Sequence, residues 1–178
     1  MSSGKVVLLT GDIETGKTSL CLDIAHAAKK RGLEVAGIAS PAVFEGDIKI
    51  AIDAKDLRTG NCRRLAVLQD DIKTGLETRR WSFNLDVISW GNQILKEAIP
   101  CDLLIVDELG PLEFNRHEGW VAGFSSIESR DYQVAVVVIR PSLLKTAKQR
   151  WKIFQEIDIN SPDKLSLTGE NIITTLGL

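Results

Sequence analysis

The sequence is poor in residues that bind transition metals or form disulfide bonds. Its 178 residues include three cysteines and two histidines. Cys21, Cys62 and Cys101 are widely spaced, odd in number and contain no C-x-x-C pair, which favours free thiols over a disulfide framework or a zinc site. His26 and His117 are isolated from one another. We therefore expect no transition-metal centre and a reducing, cytoplasmic location.

Long apolar runs and an excess of one charge are also missing. No stretch approaches the roughly 20 apolar residues of a membrane-spanning helix, and the N-terminus lacks the layout of a signal peptide. The net charge of −2 gives no basic face, so we expect neither a membrane nor nucleic acid as a partner. The length and the 44% hydrophobic content suit a single domain, residues 1–178, with one substantial core.

Residues 11–18 carry the most informative pattern, G-x-x-x-x-G-K-T. The apolar residues 6–9 precede it and a helical pattern starts at Lys17, which is the strand–loop–helix context of a phosphate-binding loop. Two glycines let the backbone N–H groups converge on phosphate oxygens, with the positive end of the helix behind them. The predicted nucleotide-binding residues are Gly11, Asp12, Ile13, Glu14, Thr15, Gly16, Lys17, Thr18 and Ser19.

Two further carboxylates are predicted to complete this site. Lys17 should reach the β- and γ-phosphates, and the Thr18 hydroxyl should ligate Mg²⁺. Residues 102–108, DLLIVDE, read as a buried strand of a parallel sheet that ends in two acids. Because ligands of such sheets gather at the carboxyl ends of the strands, we expect Asp107 to hold Mg²⁺. Glu108 is then the candidate base that orients or deprotonates an attacking water.

Strand and helix patterns alternate along the chain and predict an α/β fold of three layers with a mostly parallel sheet. Residues 43–68 differ, because Ile48, Ile50 and Ile52 alternate with less apolar residues and predict an antiparallel β-hairpin insert. Residues 70–81 read as a surface loop, and 163–178 as a turn followed by a helix or an irregular tail. The remaining predicted strands cover residues 5–10, 34–39, 133–139 and 153–159, and the helices 17–31, 85–98, 118–129 and 142–151.

These stretches resemble a known family, the small P-loop nucleoside-triphosphatases, which has thermophilic members and a human cancer-related one. The resemblance rests on residues 11–20, 36–38 with the hairpin that follows, 81–99 and 103–114. In the last, residues 107–113, DELGPLE, are similar to the family's D-E-I-G-x-M-E. The resemblance implies a RecA-like P-loop sheet and slow, Mg²⁺-dependent hydrolysis of several ribonucleoside triphosphates to diphosphates.

The chain departs from the family pattern in two places. Residues 40–43, SPAV, lack the carboxylate of the family's Thr-x-Glu, and residues 161–164, SPDK, replace its Pro-Glu-Asn-Arg. In addition, Asp12 and Glu14 lie inside the phosphate loop. A carboxylate ~4 Å from a phosphate costs on the order of 1 kcal/mol in water, so both side chains are expected to point outward.

Two other functions fit the same loop. A nucleoside or small-molecule kinase would need an acceptor pocket and a lid, for which Arg79 and Arg80 are candidate donors; a nucleotide-binding regulatory protein would barely hydrolyse. Within the hydrolase reading, Arg140 is predicted to stabilise charge on the γ-phosphate because it follows a strand at the same sheet edge. Arg150 is the weaker candidate, and a surface salt bridge is the alternative for either. The preferred base and the oligomeric state stay open.

Overall fold

The computed structural model describes residues 4–69, 80–161 and 167–178, and within these ranges the strands form one nine-stranded sheet. The strands are β1 (Lys5–Thr10), β2 (Val35–Ala39), β3 (Ala42–Glu45), β4 (Ile48–Asp56), β5 (Cys62–Gln69), β6 (Arg80–Phe83), β7 (Cys101–Leu109), β8 (Tyr132–Ile139) and β9 (Ile153–Asp158). The helices are α1 (Lys17–Lys30), α2 (Leu85–Glu97), α3 (Ala122–Ser129), α4 (Leu144–Arg150) and α5 (Gly169–Leu176).

The strands follow the order β6-β5-β4-β2-β7-β8-β1-β9, with β3 also paired to β4. Neighbours among β2, β7, β8, β1 and β9 pair in parallel. The pairs β2–β4, β3–β4, β4–β5 and β5–β6 are antiparallel. The predicted mostly parallel sheet with an antiparallel part is therefore confirmed.

Alternate side chains of the central strands enter different cores. Val6 and Leu8 of β1 pack in a cluster that includes residues of α2, α3 and α4. Val7 and Leu9 pack in a second cluster, with residues of α1 and α5. All four side chains are fully buried, which is why β1 reads as a continuous apolar run rather than an alternating one. Helices on both faces make the three layers that the alternating pattern predicts.

The antiparallel part is larger than the predicted hairpin. The hairpin itself is present as β4 and β5, and β3 and β6 flank it. The prediction of a loop as far as residue 81 is wrong at its end, because Trp81 belongs to β6 and pairs with Leu68 of β5. Short strands at a sheet edge carry little periodicity of their own, so partner strands decide their structure. Residues 70–79, with Arg79, and residues 162–166 lie outside the described residues.

The segment after β7 also differs from its prediction. Leu112–Arg116 forms a short π-helical turn, and α3 begins at Ala122 rather than near residue 118. A 3₁₀ turn, Pro141–Leu143, leads into α4. In the part of the chain that the structure describes, no helix is long and apolar enough to cross a membrane.

Candidate nucleotide-binding and catalytic site

The phosphate loop connects β1 to α1 in the parallel half of the sheet. β1 lies between β8 and β9, and β7 lies on the far side of β8. The loop therefore shares one edge of the sheet with the carboxyl ends of β7 and β8. This edge is where parallel α/β sheets bind their ligands.

The backbone of the loop has the shape that its glycines predict. Gly16 has φ +96° and caps α1 with no side-chain hydrogen bond, so the first N–H groups of the helix face the loop. At Gly11 a Cβ would lie 2.2 Å from Ile159 Cγ2, which leaves room for glycine alone. Asp12 and Glu14 are exposed, in agreement with the expectation that their carboxylates point outward.

Lys17, the first residue of α1, lies inside the loop. Its side chain is buried, and Nζ donates hydrogen bonds to the carbonyl oxygens of Gly11, at 2.9 Å, and Asp12. The ammonium group therefore lies at the centre of the backbone turn rather than in solvent. This is the position from which a lysine can transfer its hydrogen bonds to phosphate oxygens.

Asp107, near the end of β7, is a fully buried carboxylate that contacts the phosphate helix. Its Oδ2 accepts a hydrogen bond from the Ser40 N–H at 3.0 Å, and the hydroxyl of Thr18 is the second nearby donor group that lowers its pKa. Burial raises the pKa of Asp107 to about 6, against the lowering effect of these two donors; the nearby Glu108 carboxylate raises the pKa further and Lys17 lowers it. The structure thus brings together Thr18 and Asp107, the two residues predicted to hold Mg²⁺.

Ser40 is a site residue that sequence reasoning missed. Besides its N–H bond, its Oγ donates to the Asp107 carbonyl oxygen at 2.8 Å. Ser40 follows β2, and β2 lies directly beside β7, so the two strand ends meet. In the sequence, residues 40–43 are distinguished only by the missing carboxylate of the family pattern. The closeness of Ser40 to Asp107 follows from the strand order.

Glu108 and Arg140 are paired with one another. Arg140 Nε donates to Glu108 Oε1 at 2.6 Å, and the two side chains are 47% and 29% exposed. Arg140 does follow β8 at the edge of the phosphate loop, as predicted. Its partner is the candidate base, which no sequence pattern indicated.

Arg150, the weaker arginine candidate, contacts a different element. Its Nε donates to Glu128 Oε1 at 2.7 Å, and its guanidinium lies 4.2 Å from the centre of the Phe124 ring. Both partners belong to α3. These contacts fasten α4 to α3, so the surface ion pair is the reading that the structure supports for Arg150.

Glu113 is the third acid of the DELGPLE segment, and it is 5% exposed. Its two carboxylate oxygens accept hydrogen bonds from the N–H groups of Gly110, at 2.8 Å, and Trp120, at 2.9 Å. Burial raises its pKa, and the two N–H donors oppose that shift. The sequence analysis assigned Glu113 no role, although Glu113 is the last residue of the motif that the chain shares with the family.

The arrangement suits a magnesium–triphosphate complex. Mg²⁺ takes few protein ligands, commonly a hydroxyl or carboxylate together with phosphate oxygens and waters. Thr18 and Asp107 supply one hydroxyl and one buried carboxylate that are close to each other. Lys17 supplies a nearby cation, and Glu108 follows Asp107 in the chain.

Comparison with known proteins places the chain among proteins that act on nucleoside triphosphates. A family model described as NTPase matches residues 6–167. The nucleoside-triphosphatase THEP1 of Methanopyrus kandleri is 32% identical over 108 residues, 60% of this chain and 58% of that protein. The nucleoside-triphosphatase THEP1 of Methanosarcina barkeri is 25% identical over 92% of this chain and 93% of that protein.

A solved structure gives the same fold. The human cancer-related nucleoside triphosphatase superposes with a TM-score of 0.68 over 97% of this chain and 94% of that chain, at 18% sequence identity. The first relative is matched over little more than half of its length, whereas the second is matched almost throughout. The names of the family and of these relatives indicate an enzyme with nucleoside-triphosphatase activity. With the family model covering most of its length, this chain belongs to the NTPase family.

Proposed function

We propose that the protein hydrolyses the β–γ phosphoanhydride of nucleoside triphosphates, ATP and GTP among them, to the diphosphate and phosphate in a Mg²⁺-dependent reaction. The observation that carries this proposal is the closeness of the buried Asp107 carboxylate of β7 to Thr18 and Lys17 at the start of the phosphate helix, close enough for both to lower its pKa. It joins the phosphate-binding element to the strand end that holds Glu108. A site for triphosphate, metal and water is then contained in one edge of the sheet.

The phosphate loop binds the triphosphate. The N–H groups at the start of α1 face the phosphates, and Lys17 exchanges the Gly11 and Asp12 carbonyl oxygens for β- and γ-phosphate oxygens. The exposed Asp12 and Glu14 leave the inner surface of the loop to backbone donors. Since backbone groups contact phosphate rather than the base, we propose a broad base specificity; the slow turnover that we also propose follows from the resemblance to the family alone.

Thr18 and Asp107 would hold Mg²⁺, Asp107 directly or through a water. Bound there, the metal would supply neutralisation of the triphosphate charge. Ser40 keeps the Asp107 carboxylate oriented by its N–H bond. A cation bound nearby would lower the raised pKa of Asp107 and favour its ionised form.

Glu108 orients and deprotonates the attacking water, and Arg140 stabilises the charge that grows on the γ-phosphate. The two side chains neutralise each other across 2.6 Å. As both remain partly exposed, the Arg140 guanidinium can turn to a phosphate and leave Glu108 free to accept a proton. The carboxylate then gains basicity at the moment when the substrate is in place.

Product analysis tests this proposal. The protein is incubated with Mg²⁺ and ATP or GTP, and free phosphate is measured with and without an added nucleoside acceptor and with EDTA. We expect phosphate release that needs Mg²⁺ and no acceptor. Transfer of the γ-phosphate to the added nucleoside would identify the protein as a kinase. Nucleotide binding without free phosphate or phosphorylated nucleoside would identify it as a regulatory binding protein. Either outcome would overturn the hydrolase proposal.

A further inference from the structure

The carboxylate of Glu113 forms a bridge across the segment that follows β7. One oxygen accepts the Gly110 N–H and the other the Trp120 N–H, so a single side chain links two backbone positions that are ten residues apart in the chain. The bridge is buried and tight. A Cβ on Gly119, whose φ is +72°, would lie 2.0 Å from Glu113 Oε1, so glycine is required there for the carboxylate to fit.

One end of this bridge lies beside the Glu108–Arg140 pair. A Cβ on Gly110 would be 3.3 Å from Glu108 Oε1, 3.8 Å from Arg140 Nε and 3.8 Å from Glu113 Oε2. The strand register places Leu109 opposite Ile139, the residues next to Gly110 and Arg140. The N–H group that Glu113 holds is therefore part of the backbone that fixes both members of the pair.

The buried negative charge has no cationic partner among the described residues. Its hydrogen bonds are to backbone N–H groups, and the neighbouring Glu108 carboxylate raises the pKa of Glu113 rather than lowering it. Burial of a carboxylate costs free energy, which its two N–H bonds offset in part. An apolar side chain would avoid that cost but would leave the Gly110 and Trp120 N–H groups without these acceptors.

We propose that Glu113 is a positioning residue for hydrolysis: through the Gly110 N–H it holds the backbone after β7 so that Glu108 faces the attacking water. The inference rests on the proposed function, because it assigns Glu113 an effect that passes through Glu108. Glu113 does not touch substrate. Its loss should alter the chemical step and leave the phosphate loop, where the triphosphate binds, unchanged.

The test compares Glu113→Gln with Glu118→Gln, the same change at an exposed residue of the same loop. The amide keeps the size of the side chain, but it presents an N–H₂ group to one backbone N–H and loses that bond. Since small displacements of catalytic groups cost up to about 100-fold, we expect kcat to fall roughly 10- to 100-fold. Binding of a fluorescent ATP analogue should stay within about threefold, and Glu118→Gln should match the wild type.

A double variant separates positioning from general structural damage. If Glu113 acts through Glu108, the Glu113→Gln change should cost less than about threefold in a Glu108→Gln background. An equal loss in both backgrounds, or a loss of nucleotide binding together with kcat, would overturn the inference. If Glu113→Gln does not fold, Glu113→Asp, which keeps the charge but reaches only one N–H group, is read by the same criteria.

The same measurements keep the two proposals apart. A wild-type protein that releases no phosphate would overturn the proposed function. Wild-type turnover by Glu108→Gln would leave hydrolysis standing but overturn the role of Glu108 as the base, and with it the positioning role of Glu113. A large loss in Glu108→Gln with Glu113→Gln equal to the Glu118→Gln control would leave the hydrolase proposal standing and overturn the positioning role alone.

Discussion

Arg140 Nε and Glu108 Oε1 are 2.6 Å apart, which joins the residue after β8 to the penultimate residue of β7. The contact links the cation proposed for the γ-phosphate to the acid proposed as the base. Neither charge is therefore independent of the other. A substitution at one position removes the ion-pair partner of the other, so variants of both residues have to be measured together.

Replacing Arg140 by alanine should lower kcat on the order of 10³-fold, the lower end of the effect of an arginine at the γ-phosphate in related NTPases. Nucleotide affinity should change far less, because Lys17 and the loop backbone supply the ground-state contacts. Steady-state kinetics with a separate binding titration provide the comparison. Wild-type kcat in this variant would remove Arg140 from the chemistry.

Arg150→Ala is the matched control, since Arg150 also pairs with a glutamate and lies in the next helix. It loses the bond to Glu128 and the contact with Phe124. An exposed ion pair of this kind contributes under about 1 kcal/mol to stability. We expect a small fall in melting temperature and an unchanged kcat. A loss of turnover equal to that of Arg140→Ala would contradict the assignment of the two arginines.

Glu108→Gln tests the base directly. The amide keeps the size and one acceptor but lacks the charge that draws the proton from water. Turnover should fall by roughly 10²–10⁴-fold while the affinity for nucleoside triphosphate persists. Single-turnover phosphate release and nucleotide binding are the two measurements. If binding collapses as well, Glu108 is a metal-binding or structural residue.

Lys17→Ala should abolish measurable turnover and weaken triphosphate binding, because a charge-assisted contact to the β- and γ-phosphates is lost. The fold should persist, since the Lys17 hydrogen bonds are confined to the loop. Lys30→Ala, at an exposed position of the same helix, is the control. Near-normal hydrolysis by the Lys17 variant would place the active site elsewhere.

Asp107→Asn should stabilise the protein in the absence of Mg²⁺ and nucleotide. The native pKa, about 6, lies above the ordinary value of 3.8, so the native state binds the proton more tightly than the unfolded state. The stability contributed by this group is full below about pH 4 and is lost as the pH rises through 6. The neutral variant should exceed the wild type by on the order of 3 kcal/mol at about pH 8 and nearly match it at about pH 4. Denaturant titrations across this range decide it; a variant that is less stable at pH 8 would contradict the prediction.

The same variant should need more Mg²⁺. An amide is a weaker ligand than a carboxylate, so the Mg²⁺ concentration for half-maximal turnover should rise sharply. Asp12→Asn, which removes an exposed carboxylate of the phosphate loop, is the control. An unchanged Mg²⁺ titration in Asp107→Asn would count against a role in metal binding.

The parts of the site that could be predicted are those where local sequence dictates the position. The loop motif with its two glycines before a helix determines the backbone conformation of the loop. An apolar run that ends in acids places those acids at the end of a strand. These two rules located Lys17, Thr18 and Asp107, and the parallel half of the sheet followed from alternating strands and helices. No knowledge of strand order was needed.

The parts that could not be predicted depend on which strands are neighbours. Ser40 reaches Asp107 because β2 lies beside β7, and Arg140 reaches Glu108 because β8 lies on the other side. Glu113 bonds to backbone N–H groups, which leave no trace in side-chain composition. The short β6 was missed since its pairing with β5 outweighs the weak preference of four residues.

The place of β1 in the sheet has a consequence for how the protein is made. Both sheet neighbours of β1 come from late in the chain: Lys5 pairs with Val134, and Thr10 pairs with Asp158. During synthesis the phosphate loop emerges well before β8 and β9, so its supporting strand has neither sheet partner until those strands have left the ribosome. Pairings of such long sequence separation close slowly and leave apolar strands exposed in the meantime. The nascent chain therefore carries this apolar strand unpaired while the residues between β1 and β8 are synthesised.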